Sequence, residues 1–288
     1  MARDRYDLTG KTVLITGASR GIGAESARQL AERGARLSLA GLEPELLADV
    51  AGSLPEAVWF EADVTDREAV EEAVAGTVER FGGIDVVIAN AGIGPPAALE
   101  TIDFDLFERT IDVNLLGVWR TVRTALPHVI ERRGYVLMVA SLAAVLQSPL
   151  LGHYAAAKAG VEALGNTLRA ELAEQGVKVG VAYFGFIDTA MVNAAFEHPG
   201  VALMRDQVGG PLSRVYPVSD AGRAIARGVE RRARHVVHPP WAKALMALRG
   251  VIQPLIESGA RRRGSDEAVR RTNAEARRAG AGQVDRVP

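Results

Sequence analysis

The fold of this chain is decided by Thr16-Gly17-Ala18-Ser19-Arg20-Gly21-Ile22-Gly23. The stretch follows the apolar run Thr12–Ile15 and begins a segment with helical periodicity, so its glycines lie in a strand-to-helix turn. Glycine lets the backbone bend tightly and approach a pyrophosphate without a Cβ in the way. Free N–H groups at the start of a helix then hold the anion. The stretch therefore predicts a phosphate-binding turn.

Outward from this turn, short apolar runs alternate with segments of helical periodicity. The predicted strands are Thr12–Ile15, Arg36–Ala40, Val58–Glu61, Val86–Ala89, Tyr135–Val139, Val177–Tyr183 and His235–His238. The predicted helices are Gly23–Arg33, Pro44–Ser53, Asp66–Phe81, Phe104–Arg132, His153–Gln175 and Asp220–Arg231. Repeated strand–helix–strand units predict an α/β fold, a single Rossmann-like doubly wound parallel sheet of about seven strands with helices on both faces.

Composition excludes several classes of protein. The 288 residues include 48% hydrophobic residues, enough to bury a core, and no cysteine, which excludes disulfides, thiolate catalysis and cysteine zinc sites. Lys and Arg number 34 against 35 Asp and Glu, a net charge of −1 that argues against a nucleic-acid binder. The five histidines show no metal-ligand pattern with carboxylates, so no metal site is predicted.

The ends of the chain indicate a cytoplasmic protein with a distinct tail. Neither a signal peptide nor an apolar run of about 18 residues is visible. We expect residues 1–240 to form the catalytic domain and 241–288 a helical, basic appendage. Trp241–Ile256 is predicted as a mostly apolar helix, and Arg261–Gly280 as a polar helix or disordered tail. The appendage could cover a substrate pocket, join subunits or contact a membrane surface, with Arg261–Arg263 at the headgroups.

Tyr154 and Lys158 lie four residues apart, which places them one turn apart on the same helix face. A tyrosine has a pKa near 10, but an adjacent ammonium group favours its phenolate form. Tyr154 could then deprotonate an alcohol or protonate the alkoxide of a reduced ketone. The alternative is an ordinary helix with an exposed tyrosine and lysine. Ser141, at the end of a predicted strand, favours the catalytic reading because it could reach the same pocket.

The glycine spacing Gly-x-x-x-Gly-x-Gly in TGASRGIG resembles that of the short-chain dehydrogenase/reductase family. The resemblance recurs over about residues 8–240, at Asp63-Val64, Asn90-Ala91-Gly92, Asn114, Ser141, Tyr154-x-x-x-Lys158 and Gly185–Thr189. It implies an NAD(P)-dependent enzyme that acts on a secondary alcohol or ketone. A catalytically retired dinucleotide-binding regulator or scaffold of the same fold is the alternative, and the presence of Asn114, Ser141, Tyr154 and Lys158 argues against it.

The resemblance also implies residue roles. Ser141 would bond the substrate oxygen, Tyr154 would be the acid/base, Lys158 would lower the tyrosine pKa and bind ribose, and Asn114 would hold a water. The implied cofactor-binding residues are Gly17, Ser19, Arg20, Gly21, Ile22, Gly23, Asp63, Val64, Asn90, Ala91, Gly92, Tyr154, Lys158, Ile187 and Thr189. Phe184 departs from the family, which has a proline there.

The choice between NADP and NAD depends on the segment after the second strand. An acidic residue there bonds the ribose 2′-hydroxyl of NAD, and a basic residue accepts the 2′-phosphate of NADP. Gly41 and Leu42 supply neither signal. Arg20 in the glycine turn could bind the phosphate, whereas Glu43 could repel it. The sequence favours NADP slightly over NAD.

The segments expected over the nicotinamide are apolar, which suits a small lipophilic alcohol or carbonyl substrate. They include Leu142–Leu146, Met191-Val192 and Phe196. Residues 190–216 are expected to form a mobile flap over the substrate. A homo-oligomer, dimer or tetramer, is also expected.

Overall fold

The computed structural model describes residues 5–208, 210–254 and 265–284, and in these residues seven parallel strands form one sheet. The strands are β1 (Thr12–Thr16), β2 (Arg36–Gly41), β3 (Ala57–Glu61), β4 (Val86–Ala89), β5 (Tyr135–Val139), β6 (Lys178–Phe184) and β7 (His235–His238). Their order in the sheet is β3-β2-β1-β4-β5-β6-β7. The predicted α/β fold with one doubly wound parallel sheet is confirmed.

The helices lie on both faces of the sheet. They are α1 (Gly21–Ala31), α2 (Pro44–Gly52), α3 (Arg67–Phe81), α4 (Phe104–Ile111), α5 (Gly117–Glu131), α6 (Gly152–Glu171), α7 (Ala190–Glu197), α8 (Pro199–Val208), α9 (Val218–Glu230), α10 (Ala242–Ala247) and the C-terminal helix (Ser265–Val284). The helix predicted over 104–132 is interrupted by π-type turns at Asp112–Leu116. Such turns are common at functional sites.

Two apolar layers hold the helices to the sheet. One layer packs α1, α2 and α9 on one face, and the other packs α3, α5 and α6 on the opposite face. Neighbouring residues of β1 supply both layers, because Ile15 belongs to the first and Leu14 to the second. Burial on both faces explains why the strands are continuously apolar instead of alternating.

The strand order reverses between β1 and β4, which are neighbours in the sheet. The chain builds the sheet in one direction from β1 through β3 and in the other from β4 through β7. In such sheets, ligands bind in the crevice at the carboxyl ends of the strands beside the reversal. The turns after β1, β4, β5 and β6 therefore meet at one edge.

The opposite, amino edge of the sheet has an ion pair between a buried aspartate and a partly exposed lysine. The carboxylate of Asp85, immediately before β4, accepts hydrogen bonds from Lys11 Nζ at 2.9 Å and from the Thr12 backbone N at 3.0 Å. Lys11 and Thr12 lie at the start of β1, so this contact fixes the beginning of the two central strands.

The appendage begins by docking along α6. The helix predicted as Trp241–Ile256 is divided by a turn at Leu248 into α10 and a helical stretch at 249–254, and its last two residues lie outside the described part of the chain. Arg249 pairs with Glu162 of α6. Gln253 accepts a hydrogen bond from the backbone N of Gln147 at 3.1 Å. This stretch therefore packs beside the loop that follows Ser141.

Two other expectations concern irregular segments. Within the predicted flap 190–216, the structure contains α7, α8 and a 3₁₀ turn at Gly210–Ser213. The predicted tail over Arg261–Gly280 is helical from Ser265 onward, and Arg261–Arg263, the residues proposed to meet a membrane, lie outside the described residues.

Candidate active site

The glycine turn lies at the carboxyl end of β1 and begins α1. Gly17 and Gly21 adopt φ values of +63° and +58°, in the left-handed region that favours glycine. A Cβ on Gly17 would lie 2.7 Å from Ala91 Cα, and one on Gly23 would lie 2.2 Å from Gly17 O. The Asn90 side chain donates to the carbonyl oxygens of Thr16 and Gly17, each at 3.0 Å. No side chain caps the start of α1, so its first N–H groups are free to bind an anion.

A cleft of about 720 Å³ extends from this turn along the carboxyl edge of the sheet. Most of the sequence-predicted site residues line it: Gly17, Ser19, Arg20, Gly21, Ile22, Asp63, Val64, Asn90, Ala91, Gly92, Ser141, Tyr154, Lys158, Ile187 and Thr189. Gly23 and Asn114 are the two predicted site residues that do not line the cleft. The glycines leave space where the backbone borders the cleft, and the free amides suit phosphate, so these residues fit a dinucleotide.

Ser141, Tyr154 and Lys158 meet at one end of the cleft. Ser141 follows β5, and its hydroxyl faces Tyr154 on α6 closely enough to lower the pKa of the phenol. One turn further along α6, Lys158 Nζ donates to the carbonyl oxygen of Val139, the last residue of β5, at 2.9 Å. The same nitrogen lies 5.7 Å from the centroid of the Tyr154 ring. A serine, a phenol and an ammonium group are therefore held together beside the glycine turn.

Burial dominates the protonation of this group. Burial raises the pKa of the Tyr154 hydroxyl above its usual 10.0, and the hydrogen bond with Ser141 acts in the opposite direction. Burial lowers the pKa of Lys158 from 10.5 to about 8. Lys158 is not among the groups that shift the pKa of Tyr154 in the chain alone, where desolvation of the phenol is the largest cause.

Asn114 lies in the π-type turns between α4 and α5 and is fully buried. Its Oδ1 accepts a hydrogen bond from Ile93 N at 2.8 Å, and its Nδ2 donates to Ile93 O at 2.7 Å. A Cβ on Gly92 would lie 2.8 Å from Asn114 Oδ1 and 3.4 Å from Lys158 Nζ. Asn114 therefore fixes the backbone after β4 immediately beside Lys158.

Comparison with known proteins identifies the family. The model for the short chain dehydrogenase family matches residues 11–200, about two-thirds of the chain. The chain belongs to the short-chain dehydrogenase family. Members of this oxidoreductase family use NAD(P) and act on CH–OH/C=O groups.

Individual relatives of this short-chain dehydrogenase extend over most of its length. It is 34% identical over 248 residues to 11-beta-hydroxysteroid dehydrogenase A of Sesamum indicum, covering 82% of this chain and 70% of the relative. It is 33% identical over 245 residues to 3beta-hydroxysteroid dehydrogenase 1 of Eggerthella lenta, covering 80% and 90%. Among solved structures, it resembles levodione reductase with a TM-score of 0.73 and 29% identity, covering 82% of this chain and 98% of that one.

The short-chain dehydrogenase structure adds cleft residues that the sequence reasoning missed. Arg109 lines the cleft and approaches Asp63, with 4.0 Å between Arg109 Nη2 and Asp63 Oδ2. The loop Ile93–Pro96 forms one wall, and His153 holds it by a hydrogen bond between its Nε2 and Pro95 O at 2.9 Å. The proline pair Pro95-Pro96, two residues after the Asn90–Gly92 turn, was the sequence signal for a rigid loop at this wall.

Two residues that line the cleft near the glycine turn form an ion pair. Arg20 of the glycine turn pairs with Glu43, which follows β2. Behind this pair, a Cβ on Gly41 would lie 2.5 Å from Ser19 Oγ. Ser19 therefore occupies the space that a side chain at position 41 would need.

In this short-chain dehydrogenase, no helix among the described residues is long and apolar enough to cross a membrane.

The buried lysine makes stability depend on pH. Lys158 has a folded pKa of about 8, below its ordinary value of 10.5, so between these values the unfolded chain binds one more proton. The free energy of unfolding should therefore rise with pH between about pH 8 and pH 10. Below this range Lys158 is charged in the folded protein, and the full cost of burying that charge lowers the stability. We expect Lys158→Met to lose this rise, on the order of 2 kcal/mol, in urea unfolding measured across the window.

The matched control is Lys178→Met, which removes an exposed lysine at the start of β6. Its pH profile should parallel that of the wild type. A Lys158→Met profile that also runs parallel would show that Lys158 keeps its ordinary pKa.

Proposed function

We propose that this protein transfers a hydride between a nicotinamide dinucleotide and a lipophilic secondary alcohol or ketone, with Tyr154 as the acid/base. The observation that carries the proposal is that Ser141, Tyr154 and Lys158 lie together in the same cleft as the glycine turn, with Lys158 Nζ 5.7 Å from the centroid of the Tyr154 ring. Bound NAD(P) supplies or accepts the hydride. The remaining chemistry is the movement of one proton at the substrate oxygen.

The two hydroxyl groups would divide that work. In ketone reduction, Tyr154 Oη donates its proton to the substrate oxygen as the alkoxide develops, and in alcohol oxidation it removes that proton. Ser141 donates a hydrogen bond to the substrate oxygen and holds it beside Tyr154. With its pKa raised, the phenol is protonated at neutral pH in the chain alone, which is the form that the acid role requires. The base role needs the phenolate, which the positive charge of oxidised nicotinamide would favour.

Lys158 and Asn114 would support the proton transfer. Lys158 is buried and anchored to Val139, so its ammonium group can stay near the phenol and face the ribose side of the cleft. Arginine would not replace it, since a planar guanidinium group cannot release a proton at accessible pH. Asn114 holds the backbone of Ile93, in the loop after β4 that borders the cleft beside Lys158.

The lining of the substrate end favours a lipophilic ligand. Its walls are formed by apolar groups, including Ile93, Pro95, Met191, Val192 and Ala195. Relatives at 33–34% identity are named hydroxysteroid dehydrogenases, which agrees with a bulky apolar alcohol. We therefore place cyclic and polycyclic secondary alcohols, with the corresponding ketones, first among the candidate substrates.

The test is a panel of lipophilic alcohols and ketones assayed with NADP, NAD and their reduced forms, read by the absorbance of reduced nicotinamide. Turnover of cyclic compounds that exceeds turnover of short linear alcohols and of charged hydroxy acids is expected. Dinucleotide binding without turnover of any compound in either direction would instead favour a non-catalytic dinucleotide-binding protein.

We propose NADP as the preferred cofactor. Position 41 is a glycine, so the acidic residue that would bond the 2′-hydroxyl of NAD is missing there, and Ser19 occupies the adjacent space. Arg20 lies at the mouth of the cleft with a mostly exposed side chain. It can turn from Glu43 toward a phosphate, which binds guanidinium groups strongly.

This proposal predicts opposite effects at the two partners of the ion pair. Arg20→Ala should weaken NADP binding by about tenfold while NAD binding changes little, because only NADP carries the 2′-phosphate. Glu43→Gln should strengthen NADP binding several-fold, because it removes a repelling charge and frees Arg20. Titration of each variant with both dinucleotides measures the effect. Equal losses for NADP and NAD in Arg20→Ala would remove the argument for a phosphate contact.

We also propose a homo-oligomer, formed through the outer face of α4 and α5. Phe104 is 84% exposed, and Leu116 and Trp119 further along the same helical segment are each 41% exposed. Large apolar side chains exposed along this segment suit a second copy of the same chain, which presents the same surface. Light scattering of the wild type and of Trp119→Glu would measure the oligomeric state.

A further inference from the structure

The C-terminal helix (Ser265–Val284) packs on the part of the molecule that carries the substrate end of the cleft. The family match ends at residue 200, so this helix is an addition to the matched region. It packs along α8, where Gly200 makes the closest approach. A Cβ on Gly200 would lie 2.7 Å from Thr272 Oγ1 and 3.3 Å from Ala268 O. The absence of a side chain at Gly200 therefore allows the two helices to touch.

A second contact joins the same helix to the opposite side of the cleft. Asn273, 7% exposed, donates from Nδ2 to Glu100 Oε2 at 2.7 Å and accepts from Thr101 Oγ1 at 2.8 Å. Arg277, one turn further along, pairs with the other carboxylate oxygen of Glu100. Asparagine is a poor helix former, so a buried asparagine in mid-helix points to a role for its amide. Both the oxygen and the nitrogen of the Asn273 amide therefore form hydrogen bonds with the loop after β4.

A third segment lies between these contacts. Leu150, four residues before Tyr154, is buried with a left-handed φ of +66° and would lie 2.8 Å from a Cβ on Gly200. Its carbonyl oxygen accepts a hydrogen bond from Ala97 N at 2.9 Å. The C-terminal helix thus backs α8 and the loop after β4, and Leu150 links both of these segments to the loop that leads into α6.

The segments it backs continue directly into the two cleft walls. The loop after β4 supplies Gly94, and α7, which precedes α8, supplies Met191. A Cβ on Gly94 would lie 3.2 Å from Tyr154 Cδ2 and 3.5 Å from Met191 Sδ, so the walls meet over the Tyr154 ring. The distance between the walls sets how wide a substrate can reach Tyr154.

We infer that the C-terminal helix sets the width of the substrate end of the cleft, and that Asn273 is the positioning residue that holds it there. The inference rests on the proposed function for its effect on substrates, whereas the docking of the helix is independent of catalysis. A docked helix holds α8 and the Glu100 loop at a fixed separation and favours narrow substrates. An undocked helix lets α7 and α8 move outward and admits wider ones.

The test substitution is Asn273→Asp, which keeps the size of the side chain. It replaces the amide donor with a carboxylate facing Glu100, so a hydrogen bond is lost and two like charges are brought together. We expect amide hydrogen exchange in Pro199–Val208 to accelerate at least about tenfold, because the docked state is weakened. We expect the KM of the narrowest substrate to rise several-fold with little change in kcat, while wider cyclic ketones gain in relative kcat/KM.

The double variant Glu100→Gln with Asn273→Asp is the rescue. It exchanges donor and acceptor, so the Gln amide can donate to the Asp carboxylate while Thr101 still donates to position 273. Exchange in α8 and the substrate preference should both return toward the wild type. The matched control is Glu275→Gln on the exposed face of the same helix, which should leave both measurements unchanged.

The two readouts separate the possible failures. Unchanged exchange in α8 of Asn273→Asp, or failure of the double variant to restore it, would overturn the docking role. Accelerated exchange with an unchanged order of substrate preference in an active enzyme would overturn the role in specificity. If the wild type turns over no alcohol or ketone, the proposed function fails, while the exchange measurement still decides whether Asn273 docks the helix.

Discussion

A Tyr154→Phe variant should lose about a hundredfold to ten-thousandfold of its turnover while it binds dinucleotide with nearly unchanged affinity. The substitution removes one oxygen atom, the group that passes a proton to the substrate oxygen in the proposed reaction. The ring remains, so its contacts with Gly94 and Lys158 are kept. Single-turnover assays with reduced dinucleotide, together with fluorescence titration of dinucleotide binding, measure the two quantities separately.

The control for this variant is Tyr135→Phe. Tyr135 is fully buried, and its hydroxyl donates to the Ala233 carbonyl oxygen at 2.7 Å, far from the cleft on the amino side of β5. Loss of that hydrogen bond should lower the free energy of unfolding by about 1 kcal/mol and leave turnover intact. Near-native turnover in Tyr154→Phe would exclude Tyr154 as the acid/base.

A Gly17→Ala variant should lose about a hundredfold or more in dinucleotide affinity, which corresponds to roughly 3 kcal/mol. Two effects combine at this residue. Its φ of +63° disfavours any Cβ, and the added Cβ would lie 2.7 Å from Ala91 Cα, a backbone atom that cannot rotate away. The turn must separate from the Asn90–Gly92 segment, which displaces the amides that would hold the phosphates. Calorimetric titration with NADP and NAD measures the loss.

Gly10→Ala separates these two effects. Gly10 has a similar φ of +68°, but a Cβ there would meet no atom within 4 Å. It should therefore show only the conformational cost, about 1 kcal/mol of unfolding free energy, with dinucleotide affinity unchanged. Equal dinucleotide affinity in Gly17→Ala and Gly10→Ala would show that the close approach to Ala91 does not matter for binding.

Local patterns were sufficient to predict the sheet and much of the cleft. The glycine turn depends on spacing within eight residues, and the Tyr154–Lys158 pair depends on one turn of helix. Because parallel strands end at the same edge, the positions of Asn90 and Ser141 at strand ends also placed them near the turn. These features come from short-range geometry that any sequence of this pattern must obey.

Features that depend on long-range contacts could not be read from such patterns. The hydrogen bond of Thr101 to Asn273 joins residues 172 positions apart. The π-type turns at Asn114 break a helix whose periodicity looks continuous, and the pairing of Arg20 with Glu43 depends on how two separate turns face each other. The pKa of Tyr154 likewise depends on the fold, because its largest shift comes from desolvation and not from the neighbouring lysine.

The Asp85 contact at the amino edge has a practical consequence for anyone who wishes to improve this protein. It joins the first residues of β1 and β4, while every proposed reacting group lies at the other ends of the strands. Stabilising substitutions can therefore be introduced around Lys11 and Asp85 without changing the proposed catalytic residues. Substitutions that alter substrate preference can then be screened in the stabilised variant.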